Sequence, residues 1–238
     1  MATRRPEHEE CDLTKYKRMI DSALDIAVEV VRDRASLARV IAQWEDLARH
    51  ALEPNPLYVP EMLLPALDSA GERGFHCCLL WARDPERSDL PAQLGGLFPF
   101  KRERRYQGFP ASTLRSWSHP SWAWELCTPL VRIDGAQRYV AALLEWLARD
   151  GTAVVEFRNV QRGGGFSDVL ADALREHEST LFACDTATPE SAGGPGLRNL
   201  AIGLGTLGEM WVSMLPLLSR TRRRIAAVSR GYAPAVPV

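Results

Sequence analysis

Residues 117–130 read WSHPSWAWELCTPL, and this stretch decides where the centre of the predicted sheet lies. From 122 to 127, large apolar side chains alternate with smaller or polar ones, so that two tryptophans and a leucine share one face. This alternation is typical of a β-strand, because successive side chains of a strand point to opposite faces. We therefore predict a central strand over 122–127. The residues before it, 106–121, are rich in proline, glycine and hydroxyl side chains and predict a loop.

A second stretch, residues 52–67 with the sequence LEPNPLYVPEMLLPAL, predicts a turn ahead of a helix. Each proline fixes its own φ and keeps the preceding residue out of the α region, so the E-P-N-P part predicts the turn. Pro60 suits the first position of the helix that follows, 60–70, in which a later proline predicts a kink. Glu53 and Asn55 have two interpretations: turn formation and capping, or contact with a substrate.

In order and content, these two stretches resemble the GNAT-like acyltransferases of the cellulose-biosynthesis (CelD/BcsL) type. Chains of that type carry an E-P-N-P-F-like helix entry and later a W-x-H…T-P-L stretch, and the resemblance here covers residues 26–186. It implies an α/β fold with a single GNAT-like mixed sheet flanked by helices. It also implies a reaction that takes its acyl group from acetyl-CoA or another acyl-CoA. Relatives of this type continue into a second GNAT-like half that is credited with the acyl-CoA chemistry, and the resemblance here is to the first half.

The remaining elements follow in the order that this fold would require. The expected domain is 25–186, preceded by a charged arm, 1–24, and followed by a linker and an apolar, basic tail, 187–238. Ser36 and Ser167 are predicted as helix N-caps. Periodicity predicts strands over 25–32, 75–81, 93–100, 153–157 and 180–184, and helices over 37–50, 135–149 and 167–177.

The resemblance implies that the acyl-CoA pyrophosphate rests at the turn between the central strand and its following helix, where family members carry Q/R-x-x-G-x-G/A. Here that turn is RIDGAQ, residues 132–137, in which Arg132 and Gly135 match the pattern and a glutamine replaces the last small residue. Glycine lets the backbone approach a ligand, and the amides and dipole of a helix N-terminus attract an anion. Leu130, Arg132 and Gly135 are therefore the predicted cofactor-binding residues. Helix capping by Asp134 is the alternative interpretation of the same turn.

A second glycine cluster, QRGGGF at 161–166, lies one strand and helix too late for the family's cofactor loop and predicts a flexible turn.

Two residues are candidates for the general base that deprotonates an acceptor amine: Glu125 on the predicted central strand and His119 in the loop before it. The alternative for a loop histidine is packing and hydrogen bonding. Family members often use a tyrosine on the last helix as an acid, and residues 167–178 contain no tyrosine. No metal site is predicted.

Charge and composition exclude several functional classes. The 238 residues include 29 Lys and Arg against 30 Asp and Glu, so no overall field favours nucleic acid or an anionic membrane. A basic cluster at 101–105 is interpreted as a solvated strand end or as a contact for ligand phosphates. Five cysteines without a C-x-x-C spacing indicate reduced thiols. The polar N-terminus lacks the apolar core of a secretory signal, so we expect a cytoplasmic protein.

The tail contains an apolar run, 201–218, that Glu209 and Pro216 interrupt. Because a membrane span needs about 20 apolar residues, we expect instead a helix over 197–230 that packs on protein and mediates self-association or partner binding. Membrane contact is the less favoured alternative. Two functions remain open. One is a GNAT-type N-acyltransferase acting on an amine or sugar-linked acceptor in polysaccharide or envelope biosynthesis, and the other is a non-catalytic GNAT-like interaction module.

Overall fold

The computed structural model describes residues 25–71, 73–83, 91–106, 108, 110–121, 126–176, 181–185, 197–204 and 225–226. These residues form a nine-stranded sheet with helices on both faces. The strands are β1 (Asp25–Val31), β2 (Phe75–Arg83), β3 (Gln93–Glu103), β4 (Thr113–Ser116), β5 (Leu130–Val131), β6 (Val154–Gln161), β7 (Leu181–Asp185), β8 (Leu197–Leu204) and β9 (Ile225–Ala226). The helices are α1 (Arg34–Ala38), α2 (Ile41–Arg49), α3 (Pro60–Ala70), α4 (Ala136–Arg149) and α5 (Gly165–Glu176), with a 3-10 helix at Pro56–Tyr58.

The sheet is mixed, with one parallel pair near its middle. The strand order is β1-β2-β3-β4-β6-β8-β7-β9, and β5 pairs with β3 in line with β4. Neighbouring strands are antiparallel except β4 and β6, which pair in parallel over 113–115 and 154–156. The predicted α/β class, a mixed sheet flanked by helices, is confirmed.

Two apolar cores lie on opposite faces of the sheet. Strands β2 and β3 are buried on both faces, since Cys77 belongs to one core and its neighbour Cys78 to the other. Burial of each large apolar side chain contributes about 1.5–3 kcal/mol, so both helix layers stabilise the sheet. The core under α1, α2 and α3 includes Leu37, Trp44, Leu63, Leu79, Leu97 and Leu130. The core under α4 and α5 includes Leu80, Phe98, Phe100, Val140, Leu143, Phe157 and Phe166.

The predicted helix over 37–50 is two helices. The Asp33 carboxylate accepts a hydrogen bond from Ser36 N at 2.7 Å, so Asp33 and not Ser36 is the N-cap of α1. Two residues then separate α1 from α2. The apolar stripe that predicts a single helix continues across this break, because Leu37 and Trp44 are both fully buried.

The centre of the sheet differs from the prediction. Residues 122–125 lie outside the described part of the chain, and 126–129 have no regular structure. β4 and β5 hold the position beside β3 instead. β4 lies inside the stretch 106–121 that the sequence predicts as a loop, so the loop prediction is wrong for those four residues.

A buried asparagine explains the irregular backbone of 126–129. The Asn55 side-chain amide donates to Leu126 O at 3.1 Å and to Thr128 O at 2.7 Å. Between them, Cys127 N donates to Asn159 O at 3.2 Å. These backbone groups are therefore satisfied by partners far away in the sequence, and no strand ladder is needed to pair them.

β8 corrects the prediction for the tail. The sequence predicts a helix from residue 197, but the eight residues of β8 pair with β6 on one side and β7 on the other. A short run that is apolar on all sides does not distinguish a buried strand from a buried helix by its period. β8 lies beyond the predicted domain boundary at 186, and β9 pairs with β7. Apart from these two strands, the tail lies outside the described residues, as does the arm 1–24.

Candidate functional site

The strands β5 and β6 run in the same direction, because β4 and β5 are both antiparallel to β3 while β4 is parallel to β6. β4 pairs with β6 only as far as Arg115 and Glu156, and β6 continues to Gln161. Each of β5 and β6 leads into a helix, α4 or α5. In open α/β sheets, ligands bind at the carboxyl ends of parallel strands where neighbours part. The candidate site, called the crevice below, is the region at the carboxyl ends of β5 and β6.

The N-terminus of α4 is exposed and has no side-chain cap. Its N-cap residue, Gly135, has a left-handed backbone with φ of 85°. Glycine adopts this conformation without the steric cost of a side chain. Capping by Asp134, the alternative interpretation of this turn, is not observed. Of the first-turn amides of α4, those of Ala136 and Arg138 already donate to Ile133 O at 3.4 Å and to Gly135 O at 3.0 Å. Among the described contacts, the Gln137 amide is thus the first-turn donor left to bind an anion.

Tyr139 holds the first turn of α4 against β3. A Cβ atom added to Gly95 would lie 1.9 Å from Tyr139 Cζ, so the ring occupies space that only a glycine leaves open. Burial raises the pKa of Tyr139, which keeps its hydroxyl protonated. The position of α4 is thus fixed by packing rather than by capping.

Arg132 lies at the start of the turn, but its guanidinium is already paired. The side chain is 6% exposed and forms an ion pair with Asp46 of α2. Arg132 Nε also donates to Leu94 O at 3.3 Å. The hydrogen bond from Arg132 lowers the pKa of Asp46. This contact joins α2 to the turn before α4, and the predicted role of Arg132 in binding phosphate stays a prediction.

Leu130 is fully buried in the core under α1, α2 and α3. A ligand at the crevice could therefore meet the backbone of Leu130 and not its side chain. The structure brings Leu130, Arg132 and Gly135 to the same turn, as the sequence predicts, but only Gly135 is exposed there.

Residues 50–55, called the wedge below, lie along β5 on the side away from β3. Leu52 N donates to Val131 O at 2.7 Å, and Ile133 N donates to His50 O at 2.9 Å. Ala51 and Arg132 form the antiparallel bridge between these two bonds. The wedge thus pairs with β5 on the side where a further strand would add.

The side chain of Glu53 connects the wedge to α5. Its Oε1 accepts a hydrogen bond from Phe166 N, in the first turn of α5, at 2.9 Å. A Cβ added to Gly164 would lie 2.2 Å from the same oxygen, so glycine is required for this approach. α5 begins before the predicted N-cap Ser167, whose hydroxyl donates instead to Gln161 O. Of the two interpretations of Glu53, capping and substrate contact, the observed contact is a cap, and a distant loop supplies it.

Of the two candidate bases, His119 lies in the described part of the chain and Glu125 does not. His119 Nε2 is 3.1 Å from Ser69 Oγ on α3, and His119 Nδ1 accepts a hydrogen bond from Ser121 N at 3.1 Å. Arg132, by contrast, contacts α2. Glu125 lies outside the described residues. Both catalytic assignments stay predictions.

An ion-pair network that the sequence reading missed lies where β4 and β6 part. Arg115 Nε donates to Glu156 Oε2 at 2.6 Å, and Arg115 Nη1 is 3.1 Å from Glu103 Oε2. Burial alone would lower the pKa of Arg115, but the attraction of both carboxylates raises it. The three residues belong to three different strands, so only the strand order brings them together.

Buried thiols offer no activated nucleophile. Burial raises the pKa of Cys78 to about 12 and that of Cys77 well above its ordinary value. Because the thiolate is the reactive form, both remain inert thiols near neutral pH. In the described residues, no cluster of His, Cys, Asp and Glu is arranged to hold a metal ion. None of the helices in the described ranges is long and apolar enough to cross a membrane.

No protein-family model and no curated protein matches this sequence. Solved structures to which the chain is similar include AtaTR bound with AcCoA, at 11% identity and a TM-score of 0.41, covering 79% of this chain and 98% of that one. A GNAT-family acetyltransferase from Streptococcus pneumoniae matches at 9% identity and a TM-score of 0.39, and the match covers 76% of this chain and 100% of that one. The GNAT family N-acetyltransferase YhbS from Escherichia coli, in complex with CoA, matches at 18% identity and a TM-score of 0.37. That match covers 74% of this chain and 80% of the other.

Proposed function

We propose that this chain is a GNAT-type N-acyltransferase that binds acetyl-CoA or another acyl-CoA and acylates an amine or a sugar-linked acceptor. Polysaccharide or envelope biosynthesis is the proposed context, and it rests on the resemblance of residues 52–67 and 117–130. The proposed location is the cytoplasm.

One observation carries the proposal: the exposed, uncapped N-terminus of α4 at the carboxyl end of β5. The Gln137 amide and the helix dipole favour an anion there, and Gly135 leaves room for its approach. The neighbouring N-terminus of α5 already holds the Glu53 carboxylate. Of the two helix ends at the crevice, the α4 end therefore suits a pyrophosphate better.

In this proposal, the α4 amides near Gly135 and the backbone at Leu130 hold the cofactor, with Arg132 as a further candidate. When bound, acyl-CoA supplies a thioester carbonyl that an amine can attack. His119 and Glu125 are the candidate bases that take the proton from that amine. A base held by hydrogen bonds, as His119 is held by Ser69 and Ser121, has a fixed ring orientation.

Two substitutions of Gly135 test this site. Asparagine and aspartate both tolerate left-handed backbone, and the nearest atom to an added Cβ is Tyr139 Cε2 at an ordinary 3.6 Å. Gly135→Asp adds a charge that repels phosphate, whereas Gly135→Asn has the same size without the charge. We expect acetyl-CoA to bind the aspartate variant at least about tenfold more weakly than the asparagine variant, measured by calorimetry. Equal affinities would place the phosphates elsewhere.

The second candidate function is a non-catalytic interaction module. Two contacts favour it, because they occupy groups that a cofactor would use: the wedge pairs with β5, and Asp46 pairs with Arg132. Thermal unfolding with acetyl-CoA and with longer acyl-CoAs separates the two functions. A ligand at one hundred times its dissociation constant adds about 2.7 kcal/mol to the free energy of unfolding. No change in melting temperature with any acyl-CoA would support the module.

A further inference from the structure

The wedge makes three kinds of contact at the crevice. Its backbone uses the outward hydrogen-bonding groups of β5 and the turn, Val131 O and Ile133 N. Its Glu53 carboxylate binds the first turn of α5. Its Asn55 side chain holds the irregular backbone at Leu126 and Thr128. Residues 50–55 therefore join β5, the turn that follows it, α5 and 126–129 in one set of contacts.

These contacts imitate those of a bound ligand. The backbone of the wedge pairs with a strand, as the polar groups of an extended ligand would. The Glu53 carboxylate accepts a hydrogen bond at a helix N-terminus, as the anionic end of such a ligand would. Ile133, which donates to His50 O, lies only two residues before Gly135. A ligand that reached from the α4 turn along β5 would meet the wedge first.

The anionic end of the wedge is incompletely satisfied. Glu53 Oε1 has its partner in Phe166 N, whereas Glu53 Oε2 is enclosed and has no hydrogen-bond partner. An enclosed carboxylate oxygen without a donor carries a desolvation cost. Residues 51, 52 and 53 are half-buried and Pro54 is exposed, whereas Asn55 is 2% exposed. Asn55 on one side and α2, whose Leu47 is fully buried, on the other are thus the anchored ends, and the half-buried residues 51–53 between them are the part that can move.

We propose that residues 50–53 are an autoinhibitory plug, whose backbone covers β5 and whose Glu53 carboxylate occupies the crevice until an acyl-CoA displaces it. This inference rests on the proposed function, because it names the regulation of the same site. The plug moves outward as a loop between α2 and Asn55, which keeps its contacts with Leu126 and Thr128. Binding of the cofactor and release of the plug are then coupled: weaker contacts of the plug favour binding of the cofactor, and bound cofactor favours release of the plug.

The test uses Glu53→Gln, with Glu61→Gln as the matched control. Glu61 is exposed in the first turn of α3 and its substitution changes the net charge equally. We expect Glu53→Gln to bind acetyl-CoA at least about threefold more tightly than the wild type, while Glu61→Gln does not change the affinity. Circular dichroism and the melting temperature check that each variant is folded.

Hydrogen exchange supplies the second measurement, on the wild-type chain. We expect saturating acetyl-CoA to increase exchange at the Leu52 and Phe166 amides, because both lose their acceptors when the plug leaves. Binding that is equal in wild type and Glu53→Gln, or continued protection of both amides with acetyl-CoA bound, would overturn the plug and leave the proposed function standing. Absence of acetyl-CoA binding by both proteins would overturn the proposed function, and the plug with it.

Discussion

Tyr139 lies against Gly95 so closely that residue 95 cannot carry a side chain in this arrangement, since an added Cβ would be 1.9 Å from Tyr139 Cζ. Gly95→Ala must therefore displace the tyrosine and the first turn of α4. We expect a loss of at least about 2 kcal/mol in the free energy of unfolding, measured by urea denaturation.

A double-mutant cycle identifies Tyr139 as the cause. In a Tyr139→Ala background the space above residue 95 is open, and Gly95→Ala should then cost at least about 1 kcal/mol less than it does alone. Equal costs in both backgrounds would mean that strand β3, and not the tyrosine, excludes the methyl group.

Asn55 should be a major stabilising residue even though it lies in a loop. It is 2% exposed, and its amide donates to two carbonyls while its oxygen accepts from Leu57 N at 3.0 Å. Asn55→Ala leaves these groups unpaired, and we expect a loss of about 2–3 kcal/mol in chemical denaturation. Asn55→Asp should cost at least as much, because a carboxylate cannot donate to the two carbonyls. An aspartate variant as stable as the wild type would contradict this assignment of the amide.

The ion pair between Asp46 and Arg132 should be asymmetric. Arg132 is 6% exposed and Asp46 is 39% exposed, so removal of Asp46 leaves a buried charge whereas removal of Arg132 leaves a carboxylate that water can reach. We expect Asp46→Ala to cost about 2 kcal/mol or more and Arg132→Met about 1 kcal/mol or less in urea denaturation. The reverse ranking would show that Arg132 stabilises the chain mainly through Leu94 O.

His76 should make the stability depend on pH. Burial lowers its pKa, and the nearby Arg102 and Arg32 lower it further, while the bond to Gly74 O and the charge of Asp150 act in the opposite direction. Below about pH 6.5, the unfolded chain binds this proton before the folded chain does, so stability falls as the pH decreases through that range. His76→Gln should reduce the slope of unfolding free energy against pH between about 6.5 and 5. An unchanged slope would assign the pH dependence to other groups.

The sequence by itself determined the helices and turns that depend on residues close together in the chain. The spacing of Val140, Leu143, Leu144 and Leu147 predicts α4, and all four are buried under the sheet. Prolines predict the turn at 53–56 and the start of α3. α3 begins at Pro60 as predicted, and a 3-10 helix, Pro56–Tyr58, begins at the last residue of the E-P-N-P stretch. The sequence also predicts that α4 starts at residue 135, and Gly135 is its N-cap, with a left-handed backbone that glycine adopts without steric cost.

Only the tertiary structure decided how distant segments meet. The run at 197–204 is apolar from Leu200 onward, and so short a run has no period that separates strand from helix, so its pairing with β6 and β7 settled the matter. The position of β5, the irregular backbone at 126–129 and the wedge depend on contacts between residues about 70 to 110 positions apart, such as Asn55 with Thr128 and Glu53 with Phe166. A hydrogen-bond donor in the sequence does not specify its acceptor. The physical reason is that backbone groups must be paired on burial, and the partner is whichever group the packed sheet brings within reach.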